Sequence, residues 1–439
     1  MKCFENRHAK VLIALAAALG THAIAAHAQE ISLYDVDRLL SKAEGGETIT
    51  LHGPSRNFEV RVEEHSLRAP GFRVSARSRF GSRDVIAPRT TTFRGVVVGE
   101  EEDSVVRLSF GRRGLFGYVQ SGEDEIYIEP LDVQALGSTS SYHKTTDSID
   151  LNPNGTCAAS VDLTHHSDHD HQSSHVVGES TANAENIRVM QIAIHADFEY
   201  FDTHGTDTTA SIEEILNVVD GIFRADLGLA LEVTFMEFYE EDTDPYTSSD
   251  ALTLLNEMQS HWNQERGDVE RDVVHLFTGR ELDGTTVGIA FVAEVCDLGG
   301  AYGLSQDLTS SAMMPVLVAH EIGHNLGAFH DSSSDDPKFI MNPVLSLSTV
   351  QQFSDTSQSD INDYMDGVNC LPFQSVEEES DPEDPPPADE SDDGGDVPVD
   401  TPDDDIVPSG GDGGGPVDPI LLLILGAAGL ATRRRKRVS

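Results

Sequence analysis

Basic residues are scarce in this sequence, in which 29 Lys and Arg stand against 76 Asp and Glu, for a formal net charge of -47. That balance excludes nucleic acid as a partner, because binding a phosphate backbone requires Lys and Arg. Part of the charge lies between Glu377 and Asp405, a stretch without any basic residue. We expect the acidic, Pro- and Gly-rich linker at residues 374–418 to be disordered and solvated.

Long hydrophobic runs are also missing. The apolar run from Ile420 to Ala431 is shorter than the ~20 residues that a membrane-spanning helix needs. It follows a Gly-rich stretch and precedes a basic cluster at 433–437, an order that resembles the GlyGly-type C-terminal sorting signals of Gram-negative bacteria. A weak permanent anchor is the alternative for residues 419–439. On either interpretation, the chain contacts a membrane only through this tail, before processing.

Residues 1–28 have the charge order of a signal peptide. Basic residues come first, an apolar run follows from Val11 to Leu19, and a small-residue cleavage site ends the segment at Ala28. We therefore expect an exported protein, secreted or held at the cell surface of a Gram-negative bacterium. Export makes a disulfide possible.

Cysteine is rare, and its count predicts a free thiol. Cys3 would leave with the signal peptide, so that Cys157, Cys296 and Cys370 remain. Because three is an odd number, at least one of these thiols should be unpaired or paired with another chain.

The rest of the chain divides by composition. Residues 29–140 carry short runs broken by Gly or charge, which predicts a β-rich domain. Residues 141–185 are polar and include the stretch His165 to His175, which we interpret as a solvated linker rather than a specific metal site. Residues 186–373 alternate strand-like and helical patterns, typical of an α/β domain around a mixed sheet. The predicted strands are at 93–98, 105–110, 115–119, 125–128, 187–196, 229–238, 272–277 and 288–295, and the predicted helices at 211–223, 251–262 and 312–326.

The most informative stretch is the HExxHxxGxxH pattern that runs from His320 to His330. His320 and His324 lie about one helical turn apart, so their imidazoles can reach one metal ion together. Gly327 permits a sharp turn that brings His330 back as a third ligand. Three neutral imidazoles leave one zinc position open, which is the catalytic arrangement. Glu321, next to the first ligand, would act as general base.

A chance HExxH would be a surface helix with two satisfied histidines. The fixed Gly327 and His330 argue against that interpretation, and Met341 follows eleven residues later. On its own, Met341 would be an ordinary core methionine.

This region resembles the adamalysin, or reprolysin, branch of the metzincin zinc peptidases. The resemblance rests on the whole motif, on Asp331 directly after the third histidine, and on Pro343, which stands where astacins and serralysins carry a tyrosine ligand. The closing segment, from Phe353 to Asp355 and again at Tyr364, is also similar.

The resemblance implies an α/β fold with a mixed five-stranded sheet, an active-site helix and a Met-turn, preceded by a β-rich prodomain. It implies one catalytic Zn²⁺ bound by His320, His324 and His330, with Glu321 as general base and Met341 beneath the metal. An edge strand, expected within 286–295, would pair with extended substrate through main-chain hydrogen bonds.

The same resemblance pairs Cys296 with Cys370 in a disulfide. The stretches 114–117 and 127–130 are similar to a reprolysin propeptide, in which a cysteine thiolate can fill the open zinc position. Cys157 is the candidate for such a switch, although Gly155-Thr156-Cys157-Ala158 departs from the usual Cys-Gly pattern, and a free or intermolecular thiol is the alternative. The family's calcium site is open to question, because Asp272 could supply one ligand but Gln191 stands where a Glu is expected.

These observations predict a zinc endopeptidase, made as a latent zymogen, that hydrolyses protein or peptide substrates. The alternative is a non-catalytic metzincin-fold protein that binds a partner at the cell surface, which would usually have lost Glu321 or a ligand histidine. A metal scavenger built on the stretch from His165 to His175 is a third hypothesis. The sequence determines neither the cleavage specificity nor the oligomeric state.

Overall fold

The computed structural model describes residues 30–33, 35–53, 55–89, 91–122, 124–131, 142–147, 155–160, 186–308, 312–334, 338–346 and 349–375. These residues belong to one compact unit, Met1–Glu378. The predicted signal peptide, the His-rich stretch, most of the acidic linker and the C-terminal tail lie outside the described residues. Within the described part of the chain, no helix combines the length and apolar character needed to cross a membrane.

The described strands are β1 (Glu30–Leu33), β2 (Ile49–His52), β3 (Asn57–Glu64), β4 (Arg68–Ser78), β5 (Gly81–Val85), β6 (Thr92–Val97), β7 (Ser104–Gly111), β8 (Gly114–Ser121), β9 (Asp124–Leu131), β10 (Tyr142–Asp147), β11 (Gly155–Ser160), β12 (Asn186–Ala196), β13 (Leu229–Tyr239), β14 (Val273–Thr278), β15 (Thr286–Phe291), β16 (Tyr302–Gln306), β17 (Val344–Leu345) and β18 (Phe373–Ser375). The described α-helices are α1 (Val36–Glu44), α2 (Phe198–His204), α3 (Thr208–Leu227), α4 (Ala251–Glu265), α5 (Met314–Asn325) and α6 (Asp355–Gly367).

The N-terminal strands form an eight-stranded sheet in the order β1-β10-β9-β8-β7-β6-β3-β2. Its strand pairs are antiparallel. Strand β3 alternates buried and exposed side chains, because one face covers a core and the other faces solvent. Phe58, Leu108 and Ile126 lie in that core. The N-terminal region is therefore β-rich, as predicted.

The second sheet has ten strands and contains the five that the α/β prediction requires. Its order is β17-β11-β15-β16-β14-β12-β13-β4-β5, and β18 also pairs with β12. Strand β15 is antiparallel to β16, whereas β12, β13, β14 and β16 pair in parallel, so the sheet is mixed. Both ends of this sheet are extended by strands from the N-terminal part of the chain, β11 at one end and β4–β5 at the other.

Helix α3 packs against both sheets. Its predicted apolar face, which includes Ile212, Val219 and Ile222, is buried as expected from the spacing. Its polar face is buried as well, because the N-terminal sheet covers it. Asn217 on that face donates from Nδ2 to the carbonyl oxygens of Phe93 and Leu108, at 3.3 and 3.1 Å.

Residues 142–147 and 155–160 differ from the linker predicted at 141–185. Two strands, β10 and β11, lie inside it: β10 joins the eight-stranded sheet and β11 joins the ten-stranded sheet. The prediction missed them because a polar strand with no apolar alternation gains its stability from pairing with distant segments, which the local sequence does not indicate.

Candidate metal centre and active-site cleft

Helix α5 and the turn that follows it bring three histidines together. His320 and His324 are fully buried on α5, which begins with Pro315 in its first turn. Gly327 has a φ of 96°, a backbone conformation that favours glycine, and the turn there returns the chain to His330. The Nε2 atom of His330 lies 3.1 Å from Nε2 of His324 and 3.2 Å from Nε2 of His320.

The hydrogen bonds of the imidazoles fit a metal ion. Nδ1 of His320 donates to the carbonyl oxygen of Ile340 at 2.7 Å, and Nδ1 of His324 donates to that of Ala328 at 2.8 Å. With the proton on Nδ1, each Nε2 directs a lone pair to the same point. Because these nitrogens are then all acceptors, they cannot form hydrogen bonds with one another. Burial lowers the pKa of all three imidazoles, for His324 to about 4. Neighbouring histidines lower the pKa of His320 and His324 further, whereas Asp331 opposes the shift of His330. Neutral imidazoles of this kind are zinc ligands.

Glu321 is buried beside this point. Neither of its carboxylate oxygens accepts a hydrogen bond from a nitrogen or oxygen atom of the described residues. Burial raises the pKa of the carboxyl well above its usual range, and the neighbouring Cys157 thiol opposes this rise. Strand β15 passes so closely that a Cβ on Gly288 would lie 2.4 Å from Oε1 of Glu321. The carboxylate therefore fits only because residue 288 has no side chain.

Met341 lies under α5, where the Met-turn is expected. A Cβ on Gly323 would lie 2.8 Å from Sδ of Met341, so the sulfur packs directly against the helix backbone. Asp331, directly after His330, forms hydrogen bonds with the Met-turn and with the closing segment. Its Oδ1 accepts from Oγ of Ser354 at 2.7 Å, and its backbone N–H donates to the carbonyl oxygen of Met341 at 2.9 Å.

Asn325 links the histidine helix to the strands above it, a role that the sequence reasoning missed. Its Nδ2 donates to the carbonyl oxygens of Phe291 and Tyr302, at 2.8 and 3.0 Å, and the side chain is fully buried. The HExxH pattern leaves this position unspecified. An amide side chain directly after a ligand histidine is the only sequence signal that could have indicated this role of Asn325.

Strand β11 occupies the groove between β15 and β17. It pairs in parallel with β15, where Cys157 is in register with Gly288, and antiparallel with β17. The sulfur of Cys157, a ring nitrogen of His320 and a carboxylate oxygen of Glu321 all lie within 4.8 Å of one another. Burial, followed by the charge of Glu321, raises the pKa of the Cys157 thiol. The structure thus brings the candidate switch cysteine to the candidate metal centre.

Cys296 and Cys370 form a disulfide with a Cα–Cα distance of 5.8 Å, and Cys157 is a free, buried cysteine. The calcium ligand candidate Asp272 lies beside the disulfide, and its Oδ2 accepts from the backbone N–H of Gln191 at 2.7 Å. Calcium takes six to eight oxygen ligands, of which this described cluster supplies one carboxylate, so a calcium site here stays a prediction.

The fold of the described residues and the three-histidine site are similar to those of a metallopeptidase domain of the metzincin type. Residues 186–365 match the Reprolysin_5 model, described as Metallo-peptidase family M12. Two venom proteins are similar: snake venom metalloproteinase acutolysin-C of Deinagkistrodon acutus, 28% identical over 184 residues, or 41% of this chain and 44% of that protein, and zinc metalloproteinase-disintegrin-like brevilysin H2a of Gloydius brevicauda, 29% identical over 192 residues, or 40% of this chain and 44% of that protein.

The solved structure of metalloproteinase-II from Bacteroides fragilis is similar with a TM-score of 0.46 and 15% identity, over 76% of this chain and 95% of that chain. The chain spans less than half the length of the curated relatives. The family model and the venom relatives thus agree that the part of the chain around residues 186–365 is similar to a metallopeptidase domain.

Proposed function

We propose that this protein is an exported zinc endopeptidase made as a latent zymogen. The observation that carries the proposal is the convergence of three Nε2 lone pairs beside the buried carboxylate of Glu321, which accepts from no nitrogen or oxygen atom of the described residues. His320, His324 and His330 would hold the zinc, which supplies Lewis-acid activation of water and of the peptide carbonyl. Glu321 would take the proton of the attacking water on a carboxylate oxygen and deliver it to the leaving nitrogen.

The test separates metal binding from catalysis. In the matured enzyme, Glu321→Ala should retain one zinc per chain, because the three ligands remain, while hydrolysis of a quenched-fluorescence peptide library falls by ~10²-fold or more. The matched control is Glu281→Ala at an exposed position, with unchanged zinc and activity. A matured sample without zinc, or an active Glu321→Ala variant, would contradict the proposal.

Latency would come from β11. This strand fills the groove between β15 and β17, where an extended substrate would pair, and its Cys157 thiolate would hold the open zinc position. Cys157→Ala should therefore shorten the lag before activity in the full-length chain. An unchanged lag would rule out the thiol switch and leave the peptidase itself in place.

Export and the fate of the C-terminal tail belong to the same proposal. The charge order of residues 1–28 supports secretion, and the tail at 419–439 supports sorting with removal at the membrane. Mass spectrometry of the protein from culture medium should give a chain that starts near Gln29 and ends before Ile420. A chain that retains the tail in the membrane fraction would instead support a permanent anchor.

A further inference from the structure

The N-terminal part of the chain also contacts the peptidase domain at the end of the sheet opposite the candidate metal centre. Strand β4 pairs in parallel with β13, at the end of the sheet opposite β15. The backbone N–H of Val233 donates to the carbonyl oxygen of Leu67 at 2.6 Å. The backbone N–H of Glu240 donates to the carbonyl oxygen of Arg77 at 2.8 Å. Val74 and Ala76 on β4 are almost completely buried. Without β4, β13 would be an open sheet edge.

Arginines of β4 and of the hairpin that follows it meet carboxylates of the peptidase domain. The pairs are Arg68–Glu213 at 2.6 Å, Arg77–Glu237 at 3.0 Å, Arg79–Glu241 at 2.8 Å and Arg83–Glu240 at 2.6 Å. The side chains of Glu213 and Glu237 are 7% and 0% exposed. If β4 left, Glu213 would lose the arginine that pairs with it here, which is costly for a buried carboxylate, whereas Glu237 would keep Arg266 at 2.6 Å.

A second set of charges joins the N-terminal sheet to α3. Asp220 is fully buried and accepts from Nε2 of His65 at 3.0 Å and from Nη2 of Arg107 at 3.2 Å. Burial opposes ionisation of this carboxyl, but the hydrogen bond from His65 and the guanidinium charges of Arg107 and Arg224 lower its pKa below the usual range. The two parts of the chain are thus joined by ion pairs on α3 as well as at β13.

We propose that the β4–β13 contact, together with the four arginine pairs, is a distal anchor that keeps the N-terminal part bound after the chain is cut between β11 and β12. The inference rests on the proposed zymogen, because the occupant is this chain's own N-terminal part. A cut within 161–185 leaves β4 and β11 on the same fragment. The anchor then holds β11 at a high effective concentration beside the cleft, so inhibition outlasts the cut. Activation requires a second event that breaks the anchor.

The experiment uses the full chain with the recognition sequence of a site-specific protease inserted within 161–185. After complete cutting, the two fragments should elute together in size-exclusion chromatography, and peptide hydrolysis should stay silent. Hydrogen exchange should show the backbone amides of Val233 and Glu240 protected. Activity and exchange at both amides should then rise together as the fragment is released by dilution or by digestion.

Charge variants test the anchor itself. Arg79→Glu with Arg83→Glu should weaken retention roughly tenfold, measured as the dissociation constant of the cut fragments, because two half-exposed pairs become repulsive. Adding Glu240→Arg and Glu241→Arg should restore retention, and 1 M salt should reduce the difference. The control Arg61→Glu breaks a pair with Glu101 inside the N-terminal part and should leave retention unchanged.

The outcomes separate this inference from the proposed function. Immediate separation and immediate activity after the cut would overturn the anchor and leave the zymogen standing. Retention that is insensitive to the charge reversal would also overturn the assigned anchor. Co-elution with protected amides, followed by release without any activity, would support the anchor and refute the peptidase.

Discussion

The narrow space between Gly288 and Glu321 gives a quantitative prediction for the variant Gly288→Ala. The new Cβ would lie 2.4 Å from Oε1 of Glu321, whereas ordinary contact begins at 3.4 Å, so the carboxylate must retreat by about 1 Å. Leu317 blocks the site from another side, since its Cδ1 would lie 2.9 Å from the same Cβ. A displacement of ~1 Å of a positioned catalytic group can cost ~10²-fold in rate. We expect kcat of the matured enzyme to fall by about that factor.

The assay is steady-state hydrolysis of a quenched-fluorescence peptide, with zinc content and melting temperature measured on the same samples. Zinc should stay at one per chain, because Gly288 does not contact the ligand histidines closely. The matched control is Gly267→Ala, where a Cβ meets nothing within 4 Å. If kcat of Gly288→Ala stays within threefold of the wild type while the fold is intact, the assignment of Glu321 as a tightly positioned base is wrong.

Three further predictions concern stability. Gly323→Ala should cost about 1–3 kcal/mol and weaken zinc binding, because the added Cβ overpacks against Met341. Burial raises the pKa of Asp226 to about 7, above the ~3.9 of an unfolded chain. The contribution of this carboxyl to stability should therefore fall as pH rises from about 4 to about 7. In thermal unfolding, Asp226→Asn should remove that decline. Loss of the Cys296–Cys370 disulfide, which closes a separation of 74 residues, should cost about 2–4 kcal/mol.

Each stability prediction has its own control. Gly367→Ala adds a Cβ that meets nothing within 4 Å and should leave the melting temperature and zinc unchanged. Asp268→Asn changes an exposed carboxyl and should keep the wild-type pH profile. Reducing agent should lower the wild-type melting temperature to that of the Cys296→Ser, Cys370→Ser double variant. Equal melting temperatures of oxidised wild type and double variant would contradict the assigned stabilisation.

The site could be located from sequence because its determinants are local. Helix geometry alone places His320 and His324 on one face, and Gly327 provides the turn to His330. The predicted helices and strands of residues 186–373 match those of the structure within a few residues at most ends, with differences of up to about five, because apolar periodicity is also a local property.

The remaining features depend on contacts between segments far apart in the chain. Strand β4 was not predicted because Pro70 and Gly71 interrupt its sequence, and its partner β13 lies more than a hundred residues away. The buried polar face of α3 looked like a solvated face, since periodicity cannot indicate a second layer above a helix. The pairing of β11 with β15 and β17 was equally hidden, although Cys157 itself was singled out by the odd cysteine count together with the resemblance that pairs Cys296 with Cys370.

The buried amide of Asn325 has a consequence for how the domain responds to ligands. One side chain binds carbonyls of two adjoining strand segments and follows directly after a ligand histidine. Strand position and imidazole position therefore change together rather than independently. Linkage then requires reciprocity: whatever occupies the edge of β15 alters the affinity for the ion, and the ion alters the affinity for that occupant by the same factor.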